Sequence, residues 1–156
     1  MDLAKLSPVP FENLFHLAIV VDDFERAMRE VGDEMGVAFD APRPFRMRMG
    51  TPAGDAGEVT VQLVYSRNGP PYLELIQAME PAGVWTPAHG PRFHHIGVWS
   101  DDLAGEAARL ERLGMTKEAW GIGLDGQVAT FAYLRDAHGL RVELVDSRGR
   151  ASLAGR

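Results

Sequence analysis

An internal repeat with a spacing of 79 residues constrains this chain more than any other feature of its sequence. The segment 15–24 reads FHLAIVVDDF, and the segment 94–103 reads HHIGVWSDDL. Both contain a histidine, a small residue two positions later, an apolar stretch and an Asp-Asp pair. A duplicated pattern of this kind predicts two copies of one folding unit, so the fold is expected to be built from two similar modules.

An amphipathic helix is predicted directly after each copy of this segment, because apolar residues recur there with a helical period. These residues are Phe24, Met28, Val31 and Met35 in the first copy and Leu103, Ala107 and Leu110 in the second. Acidic residues precede each helix and suit the positive end of its dipole. A glycine, Gly36 or Gly114, stands where each helix is expected to end.

Three strand-like segments follow each predicted helix and are rich in β-branched and aromatic residues. They are 45–49, 59–65 and 71–77 in the first copy and 115–120, 127–134 and 140–146 in the second. Each half therefore predicts the order β-α-β-β-β, which gives an α+β fold. We expect a single domain over 1–146, with modules 14–77 and 93–146 joined by a proline-rich linker 78–92. Residues 147–156 are polar and small and predict a flexible tail.

Composition narrows the possible functions. The 156 residues suit one domain, and the absence of cysteine means that any metal must be held by His, Asp or Glu. The net charge of −6 and the scattered Lys and Arg residues argue against nucleic-acid binding. The chain has neither a membrane-spanning apolar run nor a signal-like N-terminus, so we expect a cytoplasmic protein without a membrane partner.

Two histidines and two glutamates occupy matching places in the repeat. His16 and His95 lie in the first strand of each module, and Glu74 and Glu143 lie within apolar runs of the last strands. A single glutamate in such a run would be interpreted as facing solvent, because burying an unpaired carboxylate is costly. Two matching glutamates beside two matching histidines instead predict one N2O2 metal site, suited to Zn, Ni, Co, Mn or Fe.

The other histidines and the large apolar residues have less specific interpretations. His94 is next to His95, and successive side chains of a strand point to opposite faces, so only one of the two can point into the site. The repeat selects His95; His94 is predicted to be a packing or surface residue, and His89 and His138 to be surface residues. Candidates for a pocket wall are Phe45, Met47, Trp85, Trp99, Trp120, Phe131 and Tyr133.

These motifs resemble the vicinal oxygen chelate superfamily, which includes glyoxalase I, methylmalonyl-CoA epimerase, extradiol dioxygenases and bleomycin-resistance proteins. The segment 136–144, DAHGLRVEL, is similar to the family ending D-x-x-G-x-x-x-E-L, and the segments that begin at His16 and His95 are similar to H-x-x-x-x-x-D. The resemblance covers about residues 14–146. It implies eight strands in a curved mixed sheet around a central metal-binding cup. It also implies one divalent metal ion, with ligands in the order His16, Glu74, His95 and Glu143.

The resemblance implies a metal-dependent isomerase, epimerase or glyoxalase-type lyase that transfers a proton next to a metal-bound carbonyl of a small molecule or thioester. A glutamate as second ligand is similar to glyoxalase I, whereas the segment 90–97, GPRFHHIG, is similar to epimerase-like members. Glu143 and Glu74 are the expected catalytic bases. Two alternatives stay open: a non-catalytic small-molecule binding protein of the bleomycin-resistance type, and an Fe(II)-dependent dioxygenase, which the fourth protein ligand disfavours. A homodimer is expected, since proteins resembling this one commonly dimerise.

Overall fold

In the computed structural model, which describes residues 11–79, 83–86 and 92–154, eight strands close into one β-barrel. The first module consists of β1 (Leu14–Val20), α1 (Phe24–Met35), β2 (Arg43–Thr51), β3 (Gly54–Tyr65) and β4 (Tyr72–Ala78). The second consists of β5 (Arg92–Ser100), α2 (Leu103–Arg112), β6 (Thr116–Ile122), β7 (Val128–Arg135) and β8 (Arg141–Asp146). The predicted α+β fold of two β-α-β-β-β modules in a curved mixed sheet is confirmed.

The strand order around the barrel is β1-β4-β3-β2-β6-β7-β8-β5. Two seams therefore join the modules. At the first seam β1 and β5 run antiparallel, and Leu17 lies opposite Ile96, its equivalent in the repeat. An approximate twofold axis passes between these two residues. The second seam is shorter, because only Met49 and Gly50 of β2 pair with β6.

The Asp-Asp pairs of the repeat begin the two long helices. The side chain of Asp23 accepts a hydrogen bond from the backbone N–H of Arg26, and Asp102 accepts one from Gly105. These are N-cap interactions that satisfy free backbone donors in the first turn. At the other end, Gly36 has a φ of 64°, the left-handed conformation that favours glycine and ends α1. The predicted helices are confirmed.

Within the described residues, three apolar clusters form the core. One lies inside the barrel and combines strands of both modules, with Val20, Val61 and Tyr133 among its members. The other two lie between the barrel and the helices, one under α1 and one under α2. Only one face of each helix is buried, which agrees with the amphipathic pattern in the sequence. The interior of the barrel is therefore occupied by the first cluster and by a few polar side chains.

The segments outside the modules also contact the barrel. Residues 83–86 are described between the modules, where Gly83–Trp85 forms a 3-10 turn with a buried Trp85; the rest of the predicted linker lies largely outside the described residues. After β8, the turn Ser147–Gly149 and the short helix α3 (Arg150–Ala154) occupy the stretch predicted as a flexible tail. Asp146 caps this turn by accepting from the backbone N–H of Arg148. Within the described ranges, no helix is long and apolar enough to cross a membrane.

Candidate metal centre

Four polar side chains converge inside the barrel at the β1/β5 seam. They belong to the adjacent strands β4, β1, β5 and β8 and are Glu74, His16, His95 and Glu143. All four are buried, and both histidines are completely inaccessible to solvent. One potential ligand atom from each residue lies within 4.8 Å of the other three. The structure therefore brings together the four residues that the sequence predicts as metal ligands.

The distances between these atoms suit a single divalent ion. The Nε2 atoms of His16 and His95 are 2.8 Å apart, and the carboxylate oxygens of Glu74 and Glu143 lie 3.2–3.4 Å from both nitrogens. Donors bound at about 2.0–2.2 Å to one ion are separated by about 3.3–3.6 Å in tetrahedral and about 2.8–3.1 Å in octahedral coordination. Among the described residues, Glu74 Oε2 has no hydrogen-bond partner although it is buried. An oxygen that faces an ion would have this environment, so the residues fit a metal.

A glycine makes room for one of the two imidazoles. Gly97 lies opposite His16 across the β1/β5 seam, and a Cβ atom added to Gly97 would overlap the His16 ring. The twofold axis repeats this relation on the other side, where Ala18 lies opposite His95. The small residue two positions after each histidine in the sequence is therefore explained by the close approach of the two strands at the centre.

His94 is a buried packing residue, which is one of the two roles predicted for it. The pairing of β5 with β1 shifts between Ala18 and Ile19, which lie opposite His95 and Phe93, so His94 sits in a β-bulge. Simple alternation of side chains fails at a bulge. His94 is buried instead of facing away, and its Nδ1 is 2.8 Å from Nδ1 of His95. Of the remaining histidines, His138 is exposed as predicted, and His89 lies outside the described residues.

Hydrogen bonds fix the protons on His94 and His95. Nε2 of His94 is 2.6 Å from the carbonyl oxygen of Val84, which can only accept, so Nε2 donates. Burial, followed by the charges of His95 and Arg141, lowers the pKa of His94 to about 3, so its ring is neutral. The remaining nitrogen, Nδ1, therefore accepts from Nδ1–H of His95. His95 is left with Nε2 directed at the centre.

A tyrosine supports each of the two carboxylates. Tyr65 lies directly opposite Glu74 across the β3/β4 pair, and Tyr133 lies opposite Glu143 across the β7/β8 pair. Burial, followed by the negative charge of the glutamates, raises the pKa of both tyrosines well above the usual value. Both hydroxyls are therefore protonated and are available to donate to the carboxylates.

Sequence reasoning recognised only half of this tyrosine pair. It named Tyr133 as a pocket-wall candidate and missed Tyr65. The available signal was a tyrosine near the end of the third strand of each module, nine or ten positions before a ligand candidate. The turns between the paired strands differ by one residue, so Tyr65 and Tyr133 do not stand at the same repeat spacing as the glutamates.

The charges of the cluster shift the pKa values of its members. Burial alone would lower the pKa of His16, but the carboxylates of Glu74 and Glu143 outweigh this effect and raise it to about 9. The same carboxylates raise the pKa of His95 against the effect of burial. In return, and despite their burial, the two glutamates have lowered pKa values because of the imidazoles. Without a metal, the centre therefore holds a positive His16 imidazole beside negative carboxylates.

A cavity of about 260 Å³ reaches the carboxylate side of the centre. Glu74 and Glu143 both line it, together with Tyr65 and Tyr133. The rest of the wall is mainly apolar and includes Phe45, Met47, Val61, Leu63, Ile76, Trp85, Trp99, Phe131, Val145 and Leu153. Six of the seven pocket-wall candidates from the sequence line this cavity. Trp120 does not, because it packs against the cluster under α2.

Thr130 introduces a polar group and an unusual backbone conformation into this wall. Its φ is 72°, and among the described residues it is the one non-glycine residue with a positive φ. The pairing of β6 with β7 shifts at this point, so that Gly121 lies opposite Ala129 and Trp120 opposite Ala132. A β-branched residue in the left-handed region is strained, and such strain is concentrated at functional sites.

The sequence profile of the Glyoxalase/Bleomycin resistance protein/Dioxygenase superfamily matches residues 15–133. The chain belongs to this superfamily. The resemblance inferred from the His16, His95 and 136–144 motifs is therefore confirmed. A comparison with curated proteins finds no significant match.

Solved structures with a similar fold include epimerases. The methylmalonyl-CoA epimerase from Mycobacterium tuberculosis is 18% identical, with a TM-score of 0.57 over 86% of this chain and 87% of that one. The Streptomyces coelicolor methylmalonyl-CoA epimerase in complex with 2-nitronate-propionyl-CoA is 17% identical, with a TM-score of 0.56 over 86% and 96%. A hypothetical protein from Bacillus halodurans is 16% identical, with a TM-score of 0.55 over 85% and 92%. Similarity at this level shows that this superfamily member shares their fold.

Proposed function

We propose that this superfamily member is a divalent-metal-dependent enzyme that transfers a proton next to a carbonyl group, as an isomerase, epimerase or glyoxalase-type lyase. The observation that carries the proposal is that both carboxylates of a four-residue donor cluster also line an apolar cavity. A group can act on a bound substrate only from such a position. The cluster thus combines metal-binding chemistry with direct access to a substrate.

In this proposal His16, Glu74, His95 and Glu143 hold the ion. When bound, the ion supplies Lewis-acid polarisation of a substrate carbonyl group. Its ligand histidines must be neutral, so metal binding displaces the proton of His16.

Glu143 of the second module is the proposed base, with Glu74 of the first module as a second base at the same cavity. Each would take the α-proton of the substrate or return it on the other side of the molecule. Tyr133 and Tyr65 lie opposite the two glutamates on neighbouring strands, where their hydroxyls can donate to the carboxylates and orient them. The apolar wall limits the access of water to the reacting carbon, so proton transfer there falls to the two carboxylates.

The size of the cavity limits the substrate. A volume of about 260 Å³ lies below the range of roughly 300–1,000 Å³ that is typical of pockets for drug-sized ligands. It suits a small acyl or carbonyl group, with any larger carrier left outside the barrel. The epimerases with a similar fold are named for a CoA thioester, which has such a small acyl group on a large carrier. We therefore propose a small carbonyl compound or a short-chain acyl thioester as substrate.

Proton exchange with solvent tests this proposal. Metal-loaded protein would be incubated in D2O with methylmalonyl-CoA and, separately, with the hemithioacetal of methylglyoxal and glutathione, and the α-proton signal followed by NMR. We expect loss of this signal with at least one probe, and no loss with the Glu143→Gln variant. Glu25→Gln, which removes an exposed carboxylate on α1, is the matched control and should exchange normally. Full exchange by Glu143→Gln would remove Glu143 from the role of base.

Binding without turnover is the second candidate function, and the mainly apolar cavity wall favours it. Elemental analysis and measurements of ligand binding distinguish the binding function from the enzymatic one. A protein that contains no metal after purification, takes up none, and still binds small apolar molecules would favour the binding function. Metal uptake with α-proton exchange would favour the enzyme.

A further inference from the structure

We infer that the 3-10 turn Gly83–Trp85, between the two modules, positions two of the proposed metal ligands through two separate hydrogen-bond chains. This inference rests on the proposed function, since it concerns how the metal site is held. The turn contributes one backbone carbonyl and one indole N–H, and these groups lead to His95 and to Glu143. Both of these ligands belong to the second module.

The first chain runs from Val84 to His95. The carbonyl oxygen of Val84 accepts from Nε2 of His94 at 2.6 Å, and Nδ1 of His94 is 2.8 Å from Nδ1 of His95. Because the carbonyl can only accept, each donor in the chain points toward Val84 and away from the centre. The last ring is therefore held with Nε2 facing the other ligands. A second hydrogen bond of this kind fixes both the tautomer and the orientation of a metal-binding histidine.

The second chain runs from Trp85 to Glu143. The indole N–H of Trp85 can only donate, and it donates to the hydroxyl oxygen of Tyr133 at 3.1 Å. Because the indole occupies one side of the hydroxyl oxygen, the hydroxyl hydrogen of Tyr133 is free to point to Glu143, which lies opposite it across the β7/β8 pair. Trp85 and Tyr133 are both buried, with ring centroids 5.9 Å apart, so the indole is fixed against the tyrosine it orients.

The first module provides an internal comparison. The residue before its histidine is Phe15, at the place that His94 occupies in the second module. Nδ1 of His16 is buried and has no hydrogen-bond partner in the part of the chain that the structure describes. The barrel can therefore form with an apolar residue at this place. The hydrogen-bond chain through His94 is therefore present in one module and absent from the other. A feature that the fold required would occur in both modules, so this chain is better explained as positioning His95.

Variants of His94 test the first chain. His94→Phe gives the second module the residue of the first, and His94→Gln keeps an amide that can accept from His95 and donate to Val84. His138→Phe removes an exposed histidine and is the matched control. Zn²⁺ affinity would be measured by competition with a chromophoric chelator, and ligand geometry by the visible spectrum of the Co²⁺-loaded protein.

We expect His94→Phe to weaken Zn²⁺ binding by about 10- to 100-fold and to change the Co²⁺ spectrum. His94→Gln should restore most of the affinity and the parent spectrum. Trp85→Phe removes the indole N–H that begins the second chain and keeps an aromatic ring in the core. It should therefore also alter the Co²⁺ spectrum. An affinity and a spectrum of His94→Phe equal to those of His138→Phe would overturn the inference. A parent protein that binds no divalent ion would instead contradict the proposed function itself.

One measurement needs no variant and therefore does not depend on whether His94→Phe folds. In ¹⁵N-labelled, Zn²⁺-loaded parent protein, NMR correlations of ring nitrogens with ring protons distinguish the two neutral tautomers of histidine. The inferred chain requires the proton of His94 on Nε2 and that of His95 on Nδ1. A His94 ring with its proton on Nδ1 could not connect Val84 to His95 in this direction, and that result would also overturn the inference.

Discussion

At the scale of single residues, Gly97 determines whether His16 can occupy the centre. A Cβ atom at this position would overlap the His16 ring, which is completely buried. We predict that Gly97→Ala displaces His16, lowers the bound metal well below one equivalent and costs about 1–3 kcal/mol in the free energy of unfolding. Elemental analysis and denaturant unfolding of the metal-free protein would measure the two effects.

The control for this substitution is Gly149→Ala. A Cβ atom there would meet Trp99 at 3.8 Å, an ordinary van der Waals distance. It should therefore keep the metal content of the parent protein. If Gly97→Ala also bound a full equivalent of metal with parent affinity, the close approach of β1 and β5 would not be what sets the position of His16.

The raised pKa of His16 predicts how metal binding depends on pH. Its folded-state pKa of about 9 lies above the ordinary histidine pKa of 6.5, so protonated His16 stabilises the metal-free fold. This contribution is complete below pH 6.5 and is lost as the pH rises through about 9. A ligand histidine must be neutral, so metal binding at neutral pH displaces this proton.

Metal affinity should therefore rise with pH up to about 9, while the metal-free protein becomes less stable over the same interval. Calorimetry of Zn²⁺ binding in buffers of different ionisation enthalpy would count the released protons, and thermal unfolding of metal-free protein would follow its stability. Zn²⁺ binding that releases no proton at neutral pH would show that His16 is already neutral in the metal-free centre.

At the scale of elements, the two seams between the modules differ in extent. The β1/β5 seam pairs six residues of β1 with β5, from Leu14 to Val20, and carries the two histidines. The β2/β6 seam pairs only Met49 and Gly50 with β6, and Gly50 has no side chain there because the Trp120 indole occupies the space. Fewer shared backbone hydrogen bonds leave the second seam easier to open.

We predict that amide hydrogens of β2 and β6 at this seam exchange with solvent faster than those of β1 and β5. Hydrogen–deuterium exchange followed by mass spectrometry on the native protein would compare peptides from the four strands. Metal binding should slow exchange in β1 and β5, which hold the histidines, more than in β2 and β6. Equal protection at both seams would mean that the barrel opens as one unit.

The elements also show what the sequence can and cannot predict. Local periodicity predicts the helices, the strands and their repeated order, because each depends on residues close together in the chain. The His16, Glu74, His95 and Glu143 candidates follow from the repeat alone. The closure at β2/β6 depends on two paired residues with no local signature. Likewise, the bulge that brings His94 into contact with His95 is a property of the β1/β5 pairing, so alternation along one strand does not predict this contact.

At the scale of the whole molecule, the candidate ligands connect the two modules. The first module contributes His16 and Glu74, and the second contributes His95 and Glu143, from four adjacent strands of one barrel. An ion bound by all four would hold the β1/β5 seam together from inside. Unfolding of either module would have to release it, so metal binding should stabilise both modules as one cooperative unit.

We predict the size of this effect from linkage. At free Zn²⁺ about 1,000-fold above the Kd, binding adds about 4.1 kcal/mol to the free energy of unfolding. For a chain of this length that raises Tm by roughly 10 °C, since about 1 kcal/mol shifts Tm by about 2–4 °C. Differential scanning calorimetry with and without Zn²⁺ would measure the shift and show whether a single transition is kept.

The control is a double variant, His16→Gln with His95→Gln, which leaves the glutamates but removes one nitrogen ligand from each module. Zn²⁺ should leave its Tm unchanged, because two carboxylates alone bind the ion too weakly to compete. A single variant, His16→Gln, should lose most of the shift, since a site assembled from both modules fails when either half is incomplete. If Zn²⁺ raised the Tm of the double variant as much as that of the parent, the stabilising ion would be bound elsewhere. The four converging side chains would then not be the source of the added stability.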